Sequence, residues 1–142
     1  MLKTKLLHPE ILGALGGAGH GSKILIADGN YPFATRAHPN ARRVYLNLAP
    51  GLLSVTDVLR VLVEAIPIEA AEVMLTDSGE APPIHAEFRT ILPAGLQLQE
   101  LKRQAFYDSV RLDPDTALVI ATGEQRIYAN IILTVGVVPP PS

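Results

Sequence analysis

Apolar runs with strand character alternate along the chain with apolar residues at helical spacing. The run Lys23–Asp28 is apolar between its first lysine and its final carboxylate, which is typical of a buried strand. Ser54 opens the clearest helix, because Asp57 stands three residues on in a capping box. Apolar positions then follow the spacing of one buried face until Pro67 ends the helix.

The remaining elements have weaker patterns. We expect a short helix from Pro9 through Leu15 that the following glycines end, strands at 43–48, 72–76, 117–121 and 130–134, and helices at 84–92 and 99–111. Segments 29–42 and 123–128 are expected as loops, and the first is long enough to suggest function. This order predicts a single α/β domain over residues 1–142, a sandwich whose central sheet is covered by helices, with a surface or disordered proline tail at 139–142.

Composition narrows the functional classes. The chain has 142 residues, 48% of them hydrophobic, so one domain can bury its own core. It has no cysteine, which excludes disulfides and thiol nucleophiles and is compatible with a reducing cytosol. The formal charge of −2, with no basic run longer than Arg42-Arg43, argues against nucleic-acid or membrane-surface binding. Without a secretory signal or a bilayer-spanning apolar stretch, we expect a cytoplasmic protein with a small neutral ligand.

The glycine-rich segment 16–23 is the first candidate for chemistry. It is superficially similar to a phosphate-binding loop, but its Ser-Lys order is reversed and it precedes a strand instead of following one. Nucleotide binding is therefore disfavoured, although the loop amides leave anion binding open. The four histidines (His8, His20, His38 and His85) lack paired-ligand spacing, so we expect no metal.

His20 is the residue on which a catalytic interpretation depends. It lies between two glycines immediately before the predicted buried strand, which ends at Asp28. We expect the two side chains near opposite ends of one short strand, where a sugar is long enough to meet both. From position alone, an equally good interpretation makes His20 a polar residue of a glycine turn and Asp28 a strand-end cap.

Three segments resemble the RbsD/FucU family of sugar mutarotases, in matching order and spacing over nearly the whole chain. They are Gly-His at 19–20 with Asp-Gly-Asn-Tyr-Pro at 28–32, Arg-x-x-Phe-Tyr at 103–107, and Gly-Glu followed by Tyr-x-Asn-Ile-x-Leu between 123 and 133. The second is similar to the family's fucose branch, and the third is shared by both branches. Gly29-Asn30 and the segment 76–98 depart from the family pattern, so the sugar stays open.

The resemblance implies the roles of seven residues in a monosaccharide mutarotase. His20 is the catalytic proton donor, and the substrate-binding residues are Asp28, Glu69, Arg103, Tyr107, Tyr128 and Asn130. No metal or other cofactor is required, because a histidine with a pKa of about 6.5 can give and take a proton near neutrality. L-fucose is the favoured sugar, and D-ribose pyranase activity or a non-catalytic sugar-binding accessory of transport or catabolism are the alternatives.

Each of these residues also has a simpler interpretation. Glu69 is a solvated acidic residue just past a helix, Arg103 a surface residue, and Tyr107 part of the core. Tyr128 and Asn130 are a turn followed by the start of a strand. The resemblance further implies a homo-oligomer, a decameric ring with sites near subunit boundaries. We expect an exposed apolar C-terminal strand to pack in that ring. On a purely structural interpretation, the glycine turn and segment 128–130 are subunit contacts only.

Overall fold

The computed structural model describes all 142 residues and has a six-stranded mixed sheet between layers of helices. In chain order the elements are α1 (Pro9–Gly17), β1 (Lys23–Ala27), β2 (Arg42–Tyr45), α2 (Val55–Leu62), β3 (Ile68–Met74), α3 (Ile84–Ile91), β4 (Leu98–Leu101), α4 (Arg103–Arg111), β5 (Thr116–Ala121) and β6 (Ile131–Val135). The strands lie in the order β2-β5-β1-β6-β3-β4. The α/β sandwich expected from the sequence is confirmed.

Five of the six strands run in one direction. β1 and β2 are both parallel to β5, β3 is parallel to β4, and β6 is antiparallel to both β1 and β3. Since β6 opposes both of its neighbours, β1 and β3 point the same way. The carboxyl ends of the five parallel strands and the start of β6 therefore meet at one edge of the sheet, here called the carboxyl edge. The opposite edge is called the amino edge.

Two hydrophobic clusters cover the two faces of the sheet. Along β1, Ile24 and Ile26 belong to one cluster, whereas Leu25 and Ala27 belong to the other. The first cluster includes residues of α1, α2 and α3, and the second includes residues of α4. Burying one aliphatic side chain of this kind contributes about 1.5 to 3 kcal/mol. The packed interior therefore holds both edges of the sheet in fixed positions.

Helix α2 begins at the predicted capping box. Ser54 Oγ accepts a hydrogen bond from Asp57 N at 3.0 Å, and Asp57 Oδ2 accepts one from Ser54 N at 3.1 Å. These bonds satisfy two amides that the helix itself leaves unpaired. The helix ends at Leu62, and a turn separates it from Pro67. None of the four helices has the length and apolar character needed to cross a membrane.

Several predicted elements have different bounds in the structure; the strand expected at 43–48, for example, is Arg42–Tyr45. Residues 99–111 are expected as one helix, but Leu98–Leu101 is an edge strand that pairs with β3, and only Arg103–Arg111 is helical. The strand expected at 72–76 begins at Ile68. α1 continues to Gly17, because its packing on the sheet outweighs the weak helix propensity of its glycines.

The C-terminal strand is not exposed, so that prediction is wrong. β6 lies between β1 and β3, and its residues Ile131 and Leu133 are fully buried. The exposed apolar residues at this end are Val137 and Val138, which follow the strand. The apolar run reflects a position in the centre of the sheet, where both faces are covered.

Candidate functional site

A small pocket opens at the carboxyl edge of the sheet. Its volume is about 240 Å³, below the roughly 300–1,000 Å³ of sites for drug-sized ligands. The residues that line it are Asp28, Asn30, Tyr31, Met74, Arg103, Tyr107, Ile127, Tyr128 and Asn130. The structure thus brings together five of the seven residues expected from the sequence: Asp28, Arg103, Tyr107, Tyr128 and Asn130. The polar groups and the size suit a small hydroxylated ligand.

Asp28 and Asn130 hold each other at the pocket. Asp28 follows β1, and Asn130 precedes β6, which pairs with β1. Asp28 N donates to Asn130 Oδ1 at 2.7 Å, and Asn130 Nδ2 donates to Asp28 Oδ2 at 3.2 Å. Both residues are only 3% exposed. Because the two bonds are reciprocal, each side chain fixes the position of the other.

The Asp28 carboxylate also organises the backbone around it. Its Oδ1 accepts from Asn30 N at 2.9 Å, and its Oδ2 accepts from Ala129 N at 3.2 Å. Burial raises the pKa of Asp28, and these hydrogen bonds counteract part of that rise. The carboxylate is therefore a strand-end cap and a pocket-lining group at once, so the two interpretations of this residue are compatible.

Tyr128 enters the pocket from an unusual backbone conformation. It is the one non-glycine residue with a positive φ, at 58°. This left-handed conformation costs a residue with a Cβ about 1 to 2 kcal/mol. It persists only where surrounding contacts impose it. Tyr128 therefore depends on the loop that carries it, residues 122–130 between β5 and β6.

Two tyrosines form an aromatic wall of the pocket. The rings of Tyr31, from the loop after β1, and Tyr107, from α4, lie 5.4 Å apart at 78°. Tyr31 Oη donates to Arg36 O at 2.6 Å, and the Arg36 guanidinium lies 6.0 Å from the Tyr107 ring centre. Burial raises the pKa of the Tyr31 phenol, which keeps it a neutral donor. The wall is rigid and largely apolar.

Arg103 supplies positive charge to the pocket. It is the first residue of α4, one residue beyond the end of β4 at the carboxyl edge. One guanidinium nitrogen lies 3.5 Å from Asp77 Oδ1, and both side chains are more than half exposed. An exposed pair of this kind contributes little stability. The guanidinium therefore keeps donors that a ligand oxygen can use.

His20 and Glu69 do not line this pocket. His20 Nε2 lies 3.1 and 3.0 Å from the two carboxylate oxygens of Glu69, and the side chains are 60% and 45% exposed. Both residues are at the amino edge, since His20 precedes β1 and Glu69 is near the start of β3. The five residues of β1 span about 17 Å at roughly 3.3 Å each. The expectation that one sugar meets His20 and Asp28 of the same chain is therefore wrong.

Local backbone features present the pair to solvent. Gly21 has a positive φ of 86°, and its N–H donates to Val135 O at 2.9 Å, which fixes the turn that carries His20. The β3–β6 register shifts between Ile68 and Ala70, so Glu69 lies at an irregularity of the strand. Such bulges redirect side chains. Glu69 is a strand residue here and not one that simply follows a helix.

Four lining residues were missed by the sequence analysis as site residues: Asn30, Tyr31, Met74 and Ile127. Asn30 and Tyr31 follow Asp28 after Gly29 alone, so their position after a buried strand was an available signal. Met74 is the last residue of β3, and its role requires knowing that β3 ends at the same edge as β1. Ile127 has no signal beyond its place next to Tyr128.

Comparisons with known proteins agree over almost the full length. The model of the RbsD / FucU transport protein family matches residues 1–138. A D-ribose pyranase of Paracidovorax citrulli (strain AAC00-1) is 34% identical over 140 residues, which cover 96% of this chain and 98% of that protein. A fucose mutarotase of Bos taurus is 32% identical over 149 residues, covering 95% of this chain and 92% of that protein.

Two solved structures share the fold at similar coverage. Bacillus subtilis RbsD complexed with D-ribose has a TM-score of 0.80 and 29% identity, covering 98% of this chain and 100% of that one. The fucose mutarotase of Streptococcus pneumoniae in complex with L-fucose has a TM-score of 0.79 and 30% identity, covering 97% of this chain and 100% of that one. With the whole-length family match, these likenesses show that the chain belongs to the RbsD / FucU family.

Proposed function

We propose that this protein is a monosaccharide mutarotase that interconverts the anomers or ring forms of a free sugar by general acid/base catalysis. The observation that carries the proposal is the small pocket in which a carboxylate, two amides, a guanidinium and three phenols converge. The relatives support it, because they are named as a pyranase and a mutarotase. Two similar structures hold D-ribose or L-fucose. A cytoplasmic location stays a prediction from the cysteine-free composition.

The proposed reaction needs two proton movements and no cofactor. The bond between the anomeric carbon and the ring oxygen breaks as the ring oxygen gains a proton and the anomeric hydroxyl loses one. The open-chain aldehyde then rotates and recloses on its other face by the reverse transfers. The His20 imidazole has the chemistry to give one proton and take the other, and the Glu69 carboxylate at 3.0 Å orients it. Asp28, Arg103 and Asn130 hold the sugar hydroxyls.

We also propose that the His20–Glu69 pair of one chain serves the pocket of a neighbouring chain. Within a chain the pair is at the amino edge and the pocket at the carboxyl edge, and both are accessible to a second copy. Contact between unlike edges is head-to-tail and forms a ring when the rotation closes. The decameric ring implied by the resemblance is consistent with this arrangement.

L-fucose is our first candidate substrate. Its methyl group has no counterpart in the pyranose form of D-ribose. Met74, Ile127 and the ring of Tyr107 offer apolar surface beside the polar groups, where a methyl group is removed from water. D-ribose is the second candidate, favoured by the pyranase of Paracidovorax citrulli and by a second D-ribose pyranase, from Variovorax paradoxus (strain S110), also 34% identical.

Saturation-transfer NMR of anomer exchange tests the proposal with L-fucose and D-ribose in parallel. We expect the protein to accelerate exchange of at least one sugar, and His20→Ala to reduce that acceleration by about 10² to 10⁴-fold while sugar binding is largely kept. His38→Ala is the matched control, because His38 belongs neither to the pocket nor to the His20–Glu69 pair.

The outcomes separate the competing functions. Undiminished exchange in His20→Ala rejects the role of His20. Binding shifts without faster exchange in the wild-type protein favour a sugar-binding accessory over an enzyme. If neither sugar binds and neither sugar's exchange is accelerated, that result contradicts the proposal.

A further inference from the structure

The loop 122–130 carries Tyr128 and Asn130 but is held at two separate places. Its end is fixed at the pocket, where Asp28 bonds to Ala129 N and to Asn130. Its beginning contains a second network, centred on Glu124 and Arg126, neither of which lines the pocket. The proposed reaction does not use this second network.

Glu124 is a buried carboxylate that ties the loop to helix α2. It is 4% exposed and accepts hydrogen bonds from Val55 N at 3.0 Å, Arg126 N at 3.1 Å and Arg126 Nε at 2.7 Å. Burial opposes ionisation, but these bonds outweigh it and leave the pKa of Glu124 below its ordinary value. Because Val55 is the first residue of α2, the ionised carboxylate also stabilises the helix N-terminus.

Arg126 extends the network to a third element. Its guanidinium forms a salt bridge with Glu87 of α3 and donates from Nη2 to Thr56 Oγ1 at 3.3 Å. The hydrogen bond to Glu124 is the main reason that the pKa of Arg126 is raised further. A single planar guanidinium therefore joins the loop, α2 and α3, which the point charge of a lysine cannot reproduce.

The backbone at the start of the loop has no room to shift and so cannot compensate for a lost side-chain contact. Gly123 lies so close to the carbonyl oxygens of Ala49 and Leu52 that a side chain at this position would not fit. Its N–H donates to Leu53 O at 3.0 Å. The segment from Gly123 to Arg126 is therefore fixed on both its backbone and its side chains.

We propose that Glu124 and Arg126 are positioning residues that hold Tyr128 in its left-handed conformation and so place its ring in the sugar pocket. The inference rests on the proposed function. Only Ile127 separates Arg126 from Tyr128, so a displaced Arg126 moves the tyrosine. Ile127 is exposed, and its apolar side chain offers no hydrogen bond that could hold the loop in place of Arg126. Neither Glu124 nor Arg126 lines the pocket, so the network acts on the sugar through the residues that follow it, of which Tyr128 has the polar side chain nearest in sequence.

The first test compares Arg126→Lys with Arg60→Lys in the anomer-exchange assay. We expect Arg126→Lys to raise the apparent KM about tenfold, equivalent to about 1.4 kcal/mol, and to change the maximal rate less than about twofold. The reason is that Tyr128 contributes to binding whereas His20 transfers the proton. Arg60 is an exposed arginine of α2 whose guanidinium lies 4.0 Å from Asp57. Its variant therefore shows the effect of an arginine-to-lysine exchange outside the Glu124–Arg126 network.

The second test detects the position of Tyr128 without any sugar. The chain has four tyrosines, so fluorotyrosine labelling gives few fluorine NMR lines, and single Tyr→Phe variants assign them. In Arg126→Lys we expect the Tyr128 line to shift or broaden while the line of Tyr45, exposed on β2, stays in place. Glu87→Gln breaks the salt bridge without leaving a buried charge unpaired, and we expect the same change in smaller measure.

Every outcome bears on the positioning role. An unchanged Tyr128 line with an unchanged KM overturns it. If all four tyrosine lines are disturbed equally, and the maximal rate falls while the KM rises, the network serves general stability. That result also overturns the positioning role. Should the wild-type protein bind no sugar, the proposed function fails, but a selective change of the Tyr128 line still supports positioning by Glu124 and Arg126.

Discussion

The carboxylate of Asp28 accepts hydrogen bonds from two backbone amides and one side-chain amide while it lines the pocket. Its raised pKa means that the folded protein binds a proton here more readily than the unfolded chain. The charged form is therefore a cost to folding at neutral pH, and lowering the pH relieves that cost. A sugar hydroxyl that donates to the carboxylate offsets the same cost, which couples ligand binding to stability.

His85 is a second buried titratable residue, and its effect has the opposite sign. It is 1% exposed, stacks on Phe88 and has no hydrogen-bond partner for either ring nitrogen. Burial lowers the pKa of His85, and Glu100 on β4 counteracts part of this shift. The unfolded chain therefore binds a proton at a pKa of about 6.5 that the folded protein resists. The contribution of neutral His85 to the free energy of unfolding is therefore present above that pH and is lost as the pH falls below it.

We predict that the free energy of unfolding of the wild-type protein falls between about pH 7 and about pH 5, by at most about 1.4 kcal/mol per pH unit from this one proton. Urea denaturation across that range measures the slope. His85→Phe keeps a stacked ring without titrating, so its slope should be smaller. Identical slopes in the two proteins would rule out His85 as the source.

Among the elements, α2 depends most visibly on one side chain at its start. Ser54→Ala removes the acceptor of the Asp57 N–H and the partner that lowers the pKa of Asp57. We predict a loss of about 1 kcal/mol in the free energy of unfolding, measured by urea denaturation. Ser54→Thr keeps the hydroxyl and should lose much less. A full loss in the threonine variant would attribute the effect to packing instead of capping.

The elements that the sequence predicted well are those with strong local signals. β1 is apolar at every position after Lys23, and α2 has both a capping box and one apolar face. β4 was assigned to a helix because Leu98–Leu101 is a strand only through its pairing with β3, although Leu96 and Leu98 alternate with glutamines. Local patterns contain no information about such a partner.

The residues of the candidate site also fall into two groups: those that the sequence identifies and those that only the fold brings together. The family pattern identified Asp28, Tyr128 and Asn130, which the structure places in one pocket. Met74 could not be predicted, because its inclusion follows from strand order and not from neighbours in sequence. The separation of His20 from the pocket is likewise a property of the whole sheet. The catalytic role of His20 stays a prediction.

At the scale of the whole molecule, the proposal that two chains share a site predicts complementation. His20→Ala and Arg103→Ala should each be impaired alone. After the two are unfolded and refolded together, half of the pockets retain Arg103 and half of the neighbours supply His20, so about a quarter of the sites are complete. We predict recovery of exchange activity to about that share in the NMR assay. No recovery would place His20 and the pocket of the same chain in one site, against the geometry described above.

The central position of β6 has a consequence for how the protein is made. This strand is the last in the chain, yet it joins β1 on one side and β3 on the other, with Lys23 paired to Thr134 and Ile68 to Val135. Until it is in place, the nascent polypeptide on the ribosome has two half-sheets with open flanks that can recruit other chains. Closure of the sheet must therefore wait until synthesis has passed residue 135, and until then the unfinished polypeptide exposes unpaired strand edges.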